Sequence, residues 1–372
     1  MHNARRDAVK RIASTALAVG VAPLLSACLD PTREDRAQRD DVVRALDPAL
    51  ADVLYHASLA PSGHNAQPWM IGVTAPNRLV ISTARDRWLH EVDPQNRELL
   101  LSFGCFLENM IVTARHRGFH LEYQLVGTSP ATSEILDVTL RRATPVAFPL
   151  ESIQQRRTVR SHHLRAALTR ADVQAITAPF GDHAAYFPFG STRATWLAEQ
   201  TIEANRVQAY REPAQRELSE WIRWADDDAR RERNGLTPAS MEITGLSGWY
   251  VRHFMTRADV MKPKFREQGL DAVRAQVGDY GGWLVITSAD ASMSTLIETG
   301  RLVERMWLGC RARMIAIHPM TQILEESPFR DQVGAQLGLA GRVQFLLRVS
   351  YIKEYPAPVS LRMPLSRLVS TL

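Results

Sequence analysis

The stretch that decides the fold is Ala-Pro-Ser-Gly-His-Asn-Ala-Gln-Pro-Trp at residues 60–69. A glycine turn, a hydroxyl, two amides and an indole lie here between a predicted helix and a predicted strand. Such a loop suits a planar ligand, because Ser62, Asn65 and Gln67 can meet ring carbonyls and amides while the tryptophan packs an apolar face. With the turn at Gly63, the loop is a candidate half of a binding site.

The same pattern of elements occurs twice along the chain, which predicts an internal duplication. Residues 79–86 recur as residues 284–290, and both runs read as buried strands. The Ala-Pro start of the loop recurs at residues 178–181, after an Ala-Asp-Val helix segment in each copy. On two long apolar helical segments, Gly104, Glu108, Arg115 and Arg117 recur 196 residues later as Gly300, Glu304, Arg311 and Arg313.

Each copy therefore reads as helix, Ala-Pro loop, strand, strand, long helix and strand, an α+β pattern. The long helices are predicted at 98–117 and 296–315, and the final strands near 121–127 and 342–351. We predict a signal segment at residues 1–28, a first unit at 46–150 and a second unit at 151–372.

The second copy carries a polar insert of helical pattern at residues 191–279, between its Ala-Pro loop and the next strand. Proline breakers punctuate it, and an insert of this size in one copy predicts a lid over a site at the junction. Its charged run at residues 226–233 favours a solvated helix face, with a metal site as the weaker alternative.

The second copy opens with Arg-Arg-Thr-Val-Arg at residues 156–160, a candidate anion site. Guanidinium groups can grip a phosphate bidentately, and the threonine hydroxyl adds a donor. The counterpart at residues 36–42 loses the threonine and gains carboxylates. A solvated basic face is the alternative interpretation. The complementary losses favour an anion site instead, because each copy keeps a different half of one site.

The charge balance excludes nucleic acid as an expected partner. The chain carries 45 basic and 40 acidic residues, a net +5, and residues 1–27 alone hold +3, which leaves +2 for the remainder. Three cysteines are too few for a disulfide scaffold. Of these, Cys105 and Cys310 fall on the apolar faces of the long helices and are predicted to be core thiols.

The first 28 residues resemble an export signal. Arg5 and Arg6 precede an apolar run at residues 12–27, which at about 24 Å is shorter than the roughly 30 Å core of a membrane. The end of that run resembles the lipobox of bacterial lipoproteins, which implies that Cys28 is acylated. The paired arginines resemble a twin-arginine signal. An ordinary signal peptide is the alternative. We expect an exported, membrane-anchored protein on the periplasmic side.

The two half-site motifs resemble those of the flavin-dependent nitroreductase family. Residues 156–160 resemble its RRSxR opening, and residues 60–69 are similar to its APSxxNxQPW loop. The long helix that begins near residue 96 and the ending at 358–365 resemble the sub-branch in which two such units are fused in one chain. The resemblance spans about residues 46–370. It implies two fused units that form a pseudo-symmetric intramolecular dimer.

The resemblance implies FMN as cofactor and assigns residues to it. The phosphate would be held by Arg156, Arg157, Thr158, Arg160 and Arg362. The ring and ribityl chain would be held by Ser62, Gly63, Asn65 and Gln67. His318, Pro319 and Met320 would approach the flavin N5, with His318 either a proton donor or simply packed. Two departures stand out, because residue 158 is Thr where the family has Ser and residue 350 is Ser where it has Gly.

Three functions remain open at this stage. The first is an oxidoreductase that reduces a small electron-poor acceptor through flavin N5, with an unknown electron donor. The second is a protein that holds or sequesters FMN with little turnover. The third is a lipid-anchored interaction protein with a vestigial site. We expect a monomer with one FMN per chain.

Overall fold

The computed structural model describes residues 46–371. The expectations for the signal segment, for Cys28 and for the counterpart of the anion motif at 36–42 lie outside the described residues. Within them, no helix is long and apolar enough to cross a membrane.

The first half begins with a capped helix and a hairpin. Asp47 accepts hydrogen bonds from the backbone N–H groups of Ala49 and Leu50 at 2.9 and 3.1 Å, and a proline occupies the first helical position. The elements of this half are α1 (Pro48–Ser58), β1 (Trp69–Ala75), β2 (Arg78–Thr83), α2 (Arg97–His116), β3 (Phe119–Leu125) and β4 (Glu134–Arg142).

The second half repeats this order around the helical insert. Its elements before the insert are α3 (Glu151–Gln155), α4 (Arg170–Thr177) and β5 (Ala184–Pro188). The insert holds α5 (Thr192–Tyr210), α6 (Glu212–Trp221), α7 (Asp226–Glu232), α8 (Gly245–Phe254), α9 (Arg257–Val260) and α10 (Pro263–Gln276). After it come β6 (Gly282–Ser288), α11 (Met293–Cys310), β7 (Ile315–Pro319), α12 (Gln322–Glu325), α13 (Phe329–Leu337), β8 (Arg342–Tyr351) and β9 (Val369–Thr371).

The strands form two sheets, one for each half. The first has the order β3-β4-β2-β1-β9 and the second has the order β5-β6-β8-β7. Neighbouring strands are antiparallel except β1 and β9, which run parallel with Ile71 opposite Val369. The end of the chain therefore leaves the second half and adds an edge strand to the first sheet.

The prediction of a single strand after each long helix is wrong, because two strands follow α2 and three follow α11. The predicted strand at 121–127 overlaps β3, and the one at 342–351 coincides with β8, whereas β4, β7 and β9 were missed. Strand β7 has only five residues, and its first four are all buried. A short buried run of this kind carries no alternation that would mark it as a strand.

The helical character predicted for residues 191–279 is confirmed. Pro213 and Pro263 lie in the first turns of α6 and α10, where a missing N–H costs nothing. The run at 226–233 forms α7 and its end, and Arg230 and Arg231 pair with Asp227 and Asp228 on the helix surface. These pairs agree with a solvated face.

The two halves meet where α2 crosses α11. The crossing is very close, because a Cβ atom added to Gly104 would lie 2.1 Å from the carbonyl oxygen of Ile297. A Cβ atom added to Gly300 would lie 2.0 Å from the carbonyl oxygen of Leu101. Only glycine lets these two backbones approach so closely.

We predict that Gly300→Ala lowers the free energy of unfolding by about 2–4 kcal/mol, because the methyl group forces the helices apart. Gly309→Ala is the matched control in the same helix, since nothing lies within 4 Å of its added Cβ atom. The control should be neutral or gain up to ~1 kcal/mol from helix propensity. Urea unfolding of both variants measures the difference, and equal stabilities would contradict the close crossing.

Candidate functional site

A cavity of about 380 Å³ lies at the junction of the two halves. Both half-sites predicted from the sequence contribute to its wall, and the insert covers one side. The first half contributes residues of the loop (Pro61, Ser62, Gly63, His64) and of α2 (Glu98, Leu101, Ser102, Cys105). The second half contributes residues of the anion motif (Thr158, Arg160), of α11 (Val303, Trp307), of the end of β7 and the segment after it (Pro319, Thr321, Gln322, Glu325) and of β8 (Phe345). The insert adds residues that include Asn205, Gln208, Gln215, Phe265 and Arg266.

The loop at 60–69 has an unusual backbone. His64, Asn65 and Gln67 all adopt left-handed φ angles, of 47°, 54° and 54°. Residues other than glycine rarely take such angles, and where they do the surrounding contacts must hold them. One such contact is internal, because the hydroxyl of Ser62 accepts a hydrogen bond from the backbone N–H of Gln67 at 2.9 Å.

The side chains of Asn65 and Gln67 hold other parts of the chain and do not line the cavity. The Asn65 amide donates to the carbonyls of Gly235 and Leu361, both at 3.1 Å. The Gln67 amide donates to the carbonyl of Arg233 at 3.0 Å and accepts from the N–H of Met363 at 2.9 Å. Of the four loop residues expected to hold the ring and ribityl chain, only Ser62 and Gly63 therefore line the cavity. The side-chain amides of Asn65 and Gln67 instead attach the insert and the C-terminal segment to the loop.

The three guanidinium groups expected around one phosphate have different surroundings. Arg156 is buried, with its Nε 3.1 Å from Glu304 Oε1, and it donates to the carbonyl of Leu59 at 2.8 Å. Arg157 and Arg160 have partners in the insert, described below. Thr158 and Arg160 line the cavity, whereas Arg156 and Arg157 do not.

Arg362 also differs from its expected position at the phosphate. It is buried and donates to the Asn65 side chain and to the carbonyl of Leu59, both at 2.8 Å. The Arg362 guanidinium therefore binds the loop and the backbone just before it. The sequence could not show this, since these partners lie about 300 residues away.

The anion motif holds a carboxylate of the insert. Glu242 Oε1 lies 2.9 Å from a terminal nitrogen of Arg157 and 2.9 Å from the backbone nitrogen of Arg160, and the hydroxyl of Ser161 donates to the other oxygen. Burial alone would raise the pKa of Glu242, but these hydrogen bonds and the charges of Arg157 and Arg160 lower it below its ordinary value. The donor set thus fits an anion. Sequence reasoning missed both Glu242 and Ser161.

The segment at 318–320 contributes little to the cavity. Only Pro319 lines it. His318 is buried with its Nδ1 3.2 Å from a guanidinium nitrogen of Arg348, and burial together with that charge lowers its pKa well below the ordinary value. A proton-donating role for His318 is therefore not supported. Met320 packs in the core beneath the insert. Ser350, which stands where the nitroreductase family has glycine, donates to the carbonyl of Leu164 at 2.7 Å.

Three residues of the lining carry buried nitrogens without a hydrogen-bond partner within residues 46–371. They are Nδ1 of His64, Nε of Arg266 and Nε1 of Trp307. Burial lowers the pKa of His64 to about 4, so its ring is neutral near pH 7. Buried polar atoms normally have partners, and such atoms in a cavity wall are suited to a polar ligand.

Two carboxyl groups, Glu98 and Glu325, also line the cavity and were missed from the sequence. Burial and the neighbouring Glu98 raise the pKa of Glu325 to about 8. Gln208 and Thr321 donate to Glu325 at 2.6 and 2.9 Å. Glu98 is paired with Arg97 at 2.7 Å. Close to neutral pH this wall can therefore carry an exchangeable proton.

We predict that Glu325→Gln changes the pH dependence of stability. A raised pKa in the folded state means that wild-type stability falls as pH rises from roughly 4.5 through about 8. The slope is at most about 1.4 kcal/mol per pH unit, and partial exposure reduces it. Glutamine cannot ionise, so the free energy of unfolding of the variant should rise relative to that of the wild type between pH 5 and pH 9. Denaturant unfolding across this range measures the gain, and parallel curves would contradict it.

No family model matches the chain. The chain is 23% identical over 330 residues to PigM of Serratia sp., named as a probable NAD(P)H nitroreductase, a match that covers 84% of this chain and 91% of PigM. Two Mycobacterium tuberculosis proteins with similarly provisional nitroreductase names, Rv3131 and acg, are each 25% identical. These matches cover 85% and 84% of this chain and 90% and 92% of the relatives.

Among solved structures, the FMN-dependent nitroreductase NfnB of Mycobacterium smegmatis matches with a TM-score of 0.37 and 15% identity, over 58% of this chain and 94% of NfnB. A nitroreductase-like protein from Anabaena variabilis matches with a TM-score of 0.39 and 11% identity, over 74% of this chain and 69% of the other. Over most of its length the chain is thus similar in sequence to proteins named as NAD(P)H nitroreductases.

Proposed function

We propose that the chain is an FMN-dependent oxidoreductase of nitroreductase type. One observation carries the proposal: the two complementary half-sites, which lie about 100 residues apart in sequence, contribute to the same cavity. The relatives' names supply the reaction class, and the donor set at Arg157, Arg160 and Ser161 already holds an anion. These residues fit a ligand with a flat polar ring at one end and a phosphate at the other.

In this proposal the loop and the anion motif have separate tasks. Ser62 and Gly63, which line the cavity, would hold the ring, and the unpartnered nitrogens of His64 and Trp307 would be available to polar atoms of the ligand. Thr158 and Arg160 lie toward the phosphate. Bound FMN supplies two-electron transfer at N5. The chain positions a small electron-poor acceptor, and the insert excludes water from the cavity.

We also propose that the two halves form a pseudo-symmetric intramolecular dimer. Equivalent residues make reciprocal contacts, because Gly104 approaches Ile297 while Gly300 approaches Leu101. The repeated Ala-Asp-Val segments make equivalent ion pairs, Asp52 with Arg117 at 2.6 Å and Asp172 with Arg313 at 2.9 Å. Repeated contacts of this kind are what an ancestral two-fold interface would leave.

A second candidate, an FMN-holding protein with little turnover, is favoured by the fastening of the insert. Gln67 holds the carbonyl of Arg233, Asn65 holds that of Gly235, and the anion motif holds Glu242. A lid with three attachments opens slowly, which would slow exchange of substrate and product.

We predict that the purified protein is yellow and carries one FMN per chain, because the half-sites are not duplicated. After anaerobic reduction with dithionite, an oxidoreductase should be reoxidised by a nitroarene faster than by air. Equal rates would favour the holding protein. Colourless protein that binds no added flavin would remove both candidates, and two flavins per chain would contradict the complementary half-sites.

We further propose that the protein is exported, by the twin-arginine route suggested by Arg5 and Arg6, and is anchored at the membrane through a lipid on Cys28 as a monomer. Because NAD(P)H is scarce outside the cytoplasm, the electron donor would be a membrane quinol or a redox protein.

We predict that Cys28→Ser shifts the protein from the membrane fraction to a soluble or unprocessed form, because no lipid can be attached. Fractionation followed by immunoblotting measures the shift. A variant that stays in the membrane fraction after carbonate washing would contradict the anchor.

A further inference from the structure

The strongest unassigned feature is the contact between Glu242 and the anion motif. The carboxylate receives a guanidinium hydrogen bond from Arg157, a backbone N–H from Arg160 and a hydroxyl hydrogen bond from Ser161. A guanidinium, an amide and a hydroxyl that converge on one anion are the donors that proteins also use for phosphate.

Two of the three donors, those of Arg157 and Arg160, are held independently of the carboxylate. Arg157 also donates to the carbonyl of Ala357 at 2.5 Å and to that of Thr158 at 3.2 Å. The carbonyl of Val159, which shares a peptide with the N–H that meets Glu242, accepts from Nε2 of His163 at 2.9 Å. The Arg157 and Arg160 donors would therefore stay in place if Glu242 left them.

Glu242, in contrast, is held in an unfavourable backbone conformation. Its φ angle is 62°, in the left-handed region that non-glycine residues avoid. Glu242 lies in the turn at 240–242, in which the carbonyl of Ser240 accepts a hydrogen bond from the Arg160 guanidinium at 2.9 Å. Ser240 and Glu242 thus both contact Arg160, which lines the cavity, so the turn and the ligand contact the same residue.

We propose that this donor set is the phosphate site and that Glu242 is its resident anion, displaced when a phosphate-bearing flavin binds. The inference rests on the proposed function and adds Ser161 and the Arg160 amide to the expected phosphate ligands. Glu242 competes with the phosphate but not with the ring. It therefore weakens FMN binding and leaves riboflavin binding almost unchanged, and the turn at 240–242 moves when FMN binds.

The test is the ratio of FMN to riboflavin affinity, measured by fluorescence quenching with the purified apoprotein. Glu242→Gln should raise this ratio about tenfold, which corresponds to roughly 1.4 kcal/mol. Added to Glu242→Gln, where no carboxylate competes for the hydroxyl, Ser161→Ala should lower it again, because the phosphate loses a donor. Asp271→Asn is the matched control, since it removes one negative charge from the insert at an exposed pair with Arg274. An unchanged or lower ratio in Glu242→Gln would overturn the proposal, as would an unchanged or higher ratio when Ser161→Ala is added to that variant.

A second arm separates this inference from the proposed function. If no variant binds either flavin, the proposed function fails, but the anion site is still tested with inorganic phosphate. Thermal unfolding in phosphate and in chloride of equal ionic strength should show that phosphate stabilises Glu242→Gln more than Asp271→Asn. Equal stabilisation of these two variants would overturn the anion site itself.

Discussion

The close approach of α2 and α11 is the constraint on which the rest of the structure depends. At Gly104 and Gly300 each helix backbone lies against the carbonyl of the other, so the two halves cannot slide or rotate without a steric clash. That crossing brings Cys105 of one helix and Trp307 of the other to the wall of one cavity. The site is thus a consequence of how the helices pack, and neither half contains it alone.

Buried charge reinforces the same interface. Glu108 of α2 is almost fully buried and pairs with Arg301 and Arg305 of α11 at 3.1 and 2.7 Å. Glu304 of α11 is fully buried beside Arg156, and burial raises its pKa. Ions buried in this way cost free energy unless each partner stays in place, so any shift of one helix along the other would leave a charge unpaired.

Much of the architecture could be predicted from the sequence because repeated spacing carries it. The recurrence of Gly104 and Glu108 as Gly300 and Glu304 identified the two helices that meet, and complementary losses in the two copies predicted one shared site. The sequence did not show which groups the polar side chains of the site would bind. The carboxylate that meets Arg157 comes from a turn 85 residues later, and the groups that meet Asn65 and Arg362 come from opposite ends of the chain. Such pairings follow from tertiary packing and leave no periodic pattern.

The parallel pairing of β9 with β1 has a consequence for the order of folding. Ile71 meets Val369, and the amides of the 60–69 loop meet Leu361 and Met363. During synthesis the loop therefore lacks part of its support until residues 361–371 have been made, although its contacts with Arg233 and Gly235 can form earlier. Contacts of such long sequence separation form slowly because the entropy of loop closure must be overcome first. Assembly of this part of the cavity wall is thus a late step, and a chain without residues 361–371 would lose part of the support of the 60–69 loop before it lost its core.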